Sequence, residues 1–168
     1  METKHGRILL VEDNSDDVML VHAALKRVKM DHTLMIVADG QQAMAYLQGD
    51  GLYADRGKFP FPSLMLLDLL LPKIDGFQVL QWIRAHPQLR RLPVTVFTGS
   101  QHPGHLARAY EMGANSFVLK PFSFADFCET VNHIADFWLG RCRLPHPPST
   151  VSSPHENLRS LRKSFLRF

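Results

Sequence analysis

The chain has 168 residues, 45% of them hydrophobic and 21% charged, a composition typical of one soluble globular domain. No apolar run is long enough to span a bilayer and the first residues show no signal-peptide pattern, so we expect a cytoplasmic protein without a transmembrane segment. The two cysteines match neither a disulfide framework nor a metal-ligand spacing.

Short apolar runs followed by turn or polar residues predict five β-strands. The runs are Arg7–Val11, Thr33–Ala38, Ser63–Leu67, Pro93–Phe97 and Ser116–Leu119. Strands that are apolar on both faces are typical of a parallel sheet covered by helices. A helical pattern follows each run, so the alternation predicts an α/β fold with a doubly wound, five-stranded parallel sheet.

Capping residues indicate where the helices begin and end. Asn14, Asp75 and Ser123 are each placed to cap the helix that follows them, and Gly113 is placed to end the fourth helix. Between the second helix and the third strand, residues 49–62 hold three Gly and two Pro, which predicts a surface insertion.

Five polar side chains follow the first, third, fourth and fifth predicted strands. Glu12 and Asp13 come after the first strand, Asp68 after the third, Thr98 after the fourth and Lys120 after the fifth. Ligands of an open parallel sheet bind outside the carboxyl ends of the strands, where the strand order reverses. We therefore expect these five side chains to converge in one pocket.

The residue types in this pocket favour phosphoryl transfer. Three carboxylates repel each other unless a cation neutralises them, and Mg²⁺ is a hard cation that prefers oxygen ligands. Lys120 adds a positive charge and Thr98 a hydroxyl donor, so the pocket can stabilise the oxygens of a transferring phosphoryl group. Asp68 would be the acceptor and would form an acyl phosphate.

The residues of the pocket stand in motifs that resemble those of the response-regulator receiver domain of two-component signalling. The motifs are Glu12-Asp13-Asn14, Leu67-Asp68 with Pro72, Asp75-Gly76, Thr98-Gly99-Ser100 and Lys120-Pro121. The spacings of 30 residues from Asp68 to Thr98 and of 22 from Thr98 to Lys120 agree with the family. The resemblance covers about residues 6–140.

This resemblance implies a fold, a cofactor and a partner. The strand order would be 2-1-3-4-5, as in flavodoxin-like sheets, and a sensor histidine kinase would supply the phosphoryl group. Mg²⁺ would be bound by Asp13, Asp68 and the Leu70 carbonyl, with Glu12 acting partly through water.

The same resemblance implies roles around the phosphoryl group. Thr98 and Lys120 would contact its oxygens, and Phe117 would be the aromatic switch that turns inward when Thr98 moves. Many relatives have tyrosine in place of Phe117, so this switch lacks a hydroxyl. The Lys120-Pro121 bond would be cis, which would aim the ammonium into the pocket.

Two further features resemble a narrower group within the family. They are the insertion at residues 49–62 and the segment Phe137-Trp138-Leu139 followed by Leu144-Pro145. Both are similar to the single-domain response regulators that partner phytochrome-type, light-sensing histidine kinases. The resemblance implies that the cognate kinase is such a photoreceptor, for example a bacteriophytochrome.

Charge divides the chain into a receiver domain at residues 1–140 and a basic, Pro/Ser-rich tail at residues 141–168. The first part holds 13 basic against 15 acidic side chains and the second 6 against 1, so the net charge of +3 comes from the tail. Residues 153–167 carry a short basic amphipathic pattern that suits a membrane surface, a partner helix or nucleic acid. Such short tails are more commonly disordered, so we expect a flexible tail and no direct contact with nucleic acid.

The fifth helix carries an apolar stripe broader than one contact with the sheet requires. Phe124, Phe127, Val131, Ile134 and Trp138 recur at helical spacing. One face of the stripe belongs to the core. We expect Phe124, Phe127 and Trp138 to contribute to a symmetric homodimer interface with the fourth helix and the fifth strand.

Other functions explain the pocket less well. An aspartyl-nucleophile phosphatase would need a second acid two residues beyond Asp68, where Leu70 stands, and a bound flavin would not suit an acidic pocket. We expect a signalling protein rather than an enzyme, with self-catalysed phosphotransfer and dephosphorylation at Asp68. The alternative is a phosphorylation-independent scaffold that uses the face of helix 4, strand 5 and helix 5 together with the basic tail.

Overall fold

Five parallel strands alternate with five α-helices in the computed structural model, which describes residues 6–27, 32–145 and 148. The strands are β1 (Gly6–Val11), β2 (His32–Val37), β3 (Leu64–Leu67), β4 (Val94–Thr98) and β5 (Ser116–Leu119). The helices are α1 (Ser15–Lys26), α2 (Gly40–Gln48), α3 (Gly76–Ala85), α4 (Pro103–Glu111) and α5 (Phe124–Ala135). Each predicted strand differs from the observed one by a single residue at most at either end.

The sheet has the predicted order β2-β1-β3-β4-β5, and every neighbouring pair is parallel. The chain runs outward from β1 in both directions, first to β2 and then back to β3. The carboxyl ends of β1 and β3 therefore flank the crevice in which ligands of such sheets bind. The fold class predicted from the sequence is confirmed.

Helices cover both faces of the sheet and create two apolar layers. Helices α1 and α5 pack on one face, and α2, α3 and α4 pack on the other. Strands β3 and β4 are fully buried, whereas β2 and β5 are only partly buried. The expectation of strands covered on both faces fails for these two because they form the edges of the sheet.

The predicted capping residues occupy the helix ends. The Asn14 carboxamide accepts the backbone N–H groups of the first turn of α1, and Asp75 forms a reciprocal capping box with α3. Ser123 caps α5. Gly113 lies just beyond α4 with a φ of 92°, a left-handed conformation that favours glycine.

The insertion predicted at residues 49–62 is ordered and closes the end of α2. The Arg56 guanidinium donates to the Tyr46 and Leu47 carbonyls at 2.8 and 2.7 Å, which satisfies the last turn of the helix. The rings of Tyr53 and Phe59 pack against Tyr46 at 5.1 and 6.2 Å between centroids. The insertion therefore supports α2 rather than forming a loose loop.

Arg84, near the end of α3, joins three segments at the edge of the sheet where the strands begin. Its guanidinium donates to the Gly113 carbonyl at 2.7 Å, the Leu92 carbonyl at 2.9 Å and the Asn115 side chain at 2.8 Å. The Asn115 side chain also accepts the Val94 backbone N–H at 2.8 Å. We call this arrangement the Arg84 clamp.

Beyond α5, the chain continues through a π-helical segment, Asp136–Arg141, so the helical region ends near the predicted Gly140. The predicted amphipathic pattern at residues 153–167 lies outside the described residues. Among the residues that the structure describes, no helix combines the length and apolar character needed to cross a bilayer.

Candidate functional site

The predicted pocket residues meet at the carboxyl edge of the sheet. The backbone N–H groups of Asp68 and Lys120 donate to the Val11 and Thr98 carbonyls at 3.1 and 2.9 Å. Each of these bonds extends the pairing of the sheet just beyond a strand end. The backbone therefore fixes where both functional side chains begin.

Lys120 joins three carboxylates. Its Nζ atom lies 2.5 Å from Glu12 Oε2, 2.8 Å from Asp17 Oδ2 and 2.8 Å from Asp68 Oδ2. An ammonium group has three N–H donors, so all of them are used. Burial alone would lower the pKa of Lys120, but its hydrogen bonds to the three carboxylates raise it above the ordinary value. Lys120 therefore carries its charge at every physiological pH.

Asp68 is held by hydrogen bonds to both of its carboxylate oxygens. Oδ1 accepts from the Thr98 hydroxyl at 2.7 Å and from the Leu70 backbone N–H at 3.2 Å, and Oδ2 accepts from Lys120. The Asp68 residue is 8% exposed and Thr98 is fully buried. The carboxylate is thus oriented by three donors, two of them the side chains that the sequence predicts around the phosphoryl group.

Three carboxylates of this pocket can hold a metal ion. Ligand oxygens of Glu12, Asp13 and Asp68 all lie within 4.8 Å of one another, at an open cleft of about 530 Å³. Asp13 is exposed to the cleft, and Glu12 is buried. Burial raises the pKa of Glu12, and the hydrogen bond from Lys120 offsets only part of this rise. Clustered hard oxygens with excess negative charge are the donor set that suits a divalent cation.

The predicted switch residue lies beside this site. Phe117, in the middle of β5, is half-buried against the layer that contains α4, and its N–H donates to the Tyr110 hydroxyl at 3.3 Å. The loop after β4 connects the site to the same helix. The Ser100 N–H donates to the Thr98 hydroxyl at 3.3 Å, and the Ser100 hydroxyl contacts His105 Nδ1 at 2.6 Å.

The predicted dimer residues occupy three different environments. Phe124 is 52% exposed, whereas Phe127 is 2% exposed and its ring packs on Phe97 in the core. Trp138 is partly buried against the layer formed by α1 and α5, and the exposed ring beside it is Phe137. Phe127 offers no surface to a second copy, so its assignment to an interface is corrected to a core position.

The expectation of a cis bond between Lys120 and Pro121 is wrong, because the described residues contain no cis peptide bond. Trans is the common form of bonds that precede proline. Lys120 already points into the pocket because its backbone pairs with Thr98, so no unusual bond is needed to aim its ammonium.

Sequence reasoning missed two residues of the site. Asp17 contacts Lys120, and His105 contacts Ser100 of the loop after β4. In the sequence, Asp16 and Asp17 are equivalent acidic residues in the first turn of a helix. Only the rotation of α1 about its axis decides which of the two faces Lys120.

The geometry agrees with comparisons to known proteins. Residues 8–132 match the family model described as the response regulator receiver domain. The chain therefore belongs to the response regulator receiver family of two-component signalling proteins, as its motifs indicate.

Two response regulators are similar to this chain in sequence and fold. The response regulator Rcp1 of Synechocystis sp. is 43% identical over 138 residues, which cover 82% of this chain and 92% of Rcp1. The structure of the phosphorylated cyanobacterial phytochrome response regulator RcpA matches with a TM-score of 0.80 and 38% identity, covering 84% of this chain and 99% of RcpA. A Mn²⁺-bound form of Rcp1 matches with a TM-score of 0.77 and 42% identity over the same shares.

Proposed function

We propose that this protein accepts a phosphoryl group on Asp68 from a sensor histidine kinase and signals through the resulting change in its surface. The observation that carries the proposal is the environment of Asp68. Its carboxylate faces an open cleft and contacts Thr98 and Lys120. Its oxygens also lie close enough to those of Glu12 and Asp13 for the three carboxylates to bind one metal ion.

The transfer needs positioning and charge stabilisation more than covalent chemistry by other side chains. An Asp68 oxygen attacks the phosphorus atom of the phosphohistidine, a P–O bond forms, and the P–N bond breaks with its electron pair leaving on the imidazole. Lys120 and the Thr98 hydroxyl donate hydrogen bonds to the oxygens of the phosphoryl group during its transfer. Hydrolysis of the acyl phosphate by water would return Asp68, so the protein would reset itself.

The proposed cofactor is Mg²⁺, held by the side chains of Glu12, Asp13 and Asp68 and by the Leu70 carbonyl. Such an ion would neutralise the negative charge of the carboxylates and phosphoryl oxygens. The compact group of hard oxygen ligands supports the choice, as does the existence of a Mn²⁺-bound form of the related Rcp1.

The proposed partner is a phytochrome-type photoreceptor kinase, and the proposed location is the cytoplasm. Support comes from the likeness to RcpA, which is a cyanobacterial phytochrome response regulator. In this proposal residues 1–140 form the receiver domain and residues 141–168 are a basic tail outside it. The switch would couple Thr98 to Phe117, so that phosphorylation remodels α4 and β5.

Phosphoryl uptake provides the direct test. With Mg²⁺ and acetyl phosphate, the intact mass of the wild type should increase by that of one phosphoryl group. Asp68→Asn should show no detectable uptake, because the attacking carboxylate is gone, and Asp50→Asn, an exposed aspartate in the insertion, should behave as wild type. Chelation of Mg²⁺ should suppress uptake. Uptake by Asp68→Asn at the wild-type rate would contradict the proposal.

We also propose a symmetric homodimer through α4, β5 and α5. This face exposes large apolar side chains beside an open groove of about 510 Å³. The exposed side chains are Leu106 and Tyr110 on α4, Leu119 at the end of β5, Phe122 just before α5 and Phe124 at its beginning, where the Phe124 ring also faces Arg27 at the end of α1 at 6.0 Å. Stable interfaces bury on the order of 1,600 Å² and depend most on aromatic anchors, which this face supplies.

Light scattering tests the dimer. The wild type should have the mass of two chains at micromolar concentration, and Phe124→Asp should weaken association by about tenfold or more, because an interface would bury the new charge. Leu52→Asp is the control, since Leu52 is 75% exposed on the insertion. A monomeric wild type, both with and without phosphorylation, would contradict the proposed dimer.

A further inference from the structure

The ammonium of Lys120 has three acceptors, and only two of them belong to the carboxylates that can hold a cation. Glu12 and Asp68 lie in that group, whereas Asp17 lies outside it. Asp17 stands in the first turn of α1, and its side chain is 25% exposed. The position of Lys120 is therefore shared between the metal ligands and a carboxylate that takes no part in the metal site.

A cation and the ammonium compete for the same oxygens. A divalent ion between Glu12, Asp13 and Asp68 repels the charge of Lys120 and draws on the oxygens to which Lys120 donates. The other oxygens already accept hydrogen bonds, Glu12 Oε1 from the Asn14 N–H at 3.0 Å and Asp68 Oδ1 from Thr98. Loading of the site therefore weakens two of the three bonds that hold Lys120.

We propose that Asp17 is a positioning residue. It keeps the Lys120 ammonium at the pocket when the cation and the phosphoryl group bind the oxygens of Glu12 and Asp68 that otherwise accept from Lys120. The inference rests on the proposed function, because it concerns how the metal site of that function is loaded. Without Asp17, cation binding leaves the ammonium with no carboxylate outside the metal ligands. The affinity for the cation should therefore fall.

Asp16 provides a matched control. It precedes Asp17 in the same helical turn, lines the same cleft and is exposed. Within the described part of the chain, Lys120 pairs with Asp17, Glu12 and Asp68 but not with Asp16. Asp16→Asn and Asp17→Asn remove equal charge with almost no change in shape. Both variants therefore show the effect of removing one negative charge from the cleft, and only Asp17→Asn also removes a direct partner of Lys120.

Calorimetric titration of the unphosphorylated protein with Mg²⁺ measures the effect without any phosphoryl donor. The Kd should rise about tenfold in Asp17→Asn, as for the loss of one charge-assisted hydrogen bond. It should rise less than about threefold in Asp16→Asn, since exposed charges interact weakly. In a Lys120→Met background, Asp17→Asn should shift the Kd no more than Asp16→Asn does, because the interaction partner is gone.

The outcomes separate the two proposals. Equal shifts in the two single variants would overturn the role of Asp17, and so would a large effect that persists without Lys120. A wild type that binds no Mg²⁺ would overturn both the metal site and this inference. If Mg²⁺ binds as expected but Asp68 takes up no phosphoryl group, the proposed function fails and the role of Asp17 stands.

Discussion

Replacement of Gly76 by alanine should lower the free energy of unfolding by about 3 kcal/mol, at the upper end of the cost of overpacking. A Cβ atom on Gly76 would lie 2.2 Å from the Asp68 carbonyl oxygen and 2.7 Å from Leu69 Cα. Both are backbone atoms, so no side-chain rotation can relieve the clash. The loop between β3 and α3 would have to move, and it carries the acceptor. Urea unfolding measures the loss of stability.

Gly99 is the matched control for this substitution. It lies in the loop after β4, and a Cβ atom added there would have no neighbour within 4 Å. Gly99→Ala should change stability by less than about 1 kcal/mol, and reduced freedom of the unfolded chain makes a small gain the expected sign. Equal unfolding curves for the two variants would show that the close approach of Gly76 to Asp68 is not important for stability.

Lys120→Met should lower the free energy of unfolding by about 3–5 kcal/mol at pH 7 without Mg²⁺, as expected when one partner of a buried ion pair is removed. Glu12 and Asp68 would keep their charges in a pocket where their side chains are 2% and 9% exposed. Lys58→Met is the control, because the pair of Lys58 with Asp55 is solvent-exposed and should contribute less than about 1 kcal/mol.

Mg²⁺ and acid should each restore part of the stability lost in Lys120→Met. Mg²⁺ at 100 times its Kd contributes about 2.7 kcal/mol to a folded state that binds it.

Burial raises the pKa of Glu12 and Lys120 counteracts this rise, so the pKa of Glu12 should rise further in Lys120→Met. A raised carboxylate pKa gives stability that is complete below the unfolded value of 4.5 and is lost as pH rises through the folded value. The deficit relative to wild type should therefore shrink towards pH 4.5, and a constant deficit in urea unfolding across this range would contradict the explanation.

The positions of Asp68, Thr98 and Lys120 could be predicted because each stands at the end of an apolar run, and a strand end is a local signal. The contact of Asp17 with Lys120 could not, because Asp17 stands within α1 and not at the end of a strand. It depends on how α1 packs against the sheet, which no local pattern encodes. Asp16 would be an equally good candidate on residue type alone.

The apolar stripe of α5 shows the opposite error. Its breadth predicted more apolar surface than the core could cover, but Phe127, Val131 and Ile134 are all buried between α5 and the sheet. Side-chain size and spacing indicate which residues are apolar but not how much of each a neighbouring helix covers. Contact with α1 accounts for part of this burial, and the exposed residue of the predicted set is Phe124.

The Arg84 clamp has a consequence for how a signal could travel through α4. It holds Gly113, at the end of α4, and Asn115, just before β5, at the edge of the sheet farthest from Asp68. The start of α4 is linked to the site through Ser100 and His105, and the His105 ring packs on Phe77 of α3. The end of α4 at Gly113 is therefore the fixed end of the helix, and its first turn is the end that a change at the site reaches first. A small displacement of Thr98 would tilt α4 rather than slide it, with the largest movement at its first turn, beside the groove of the proposed dimer face.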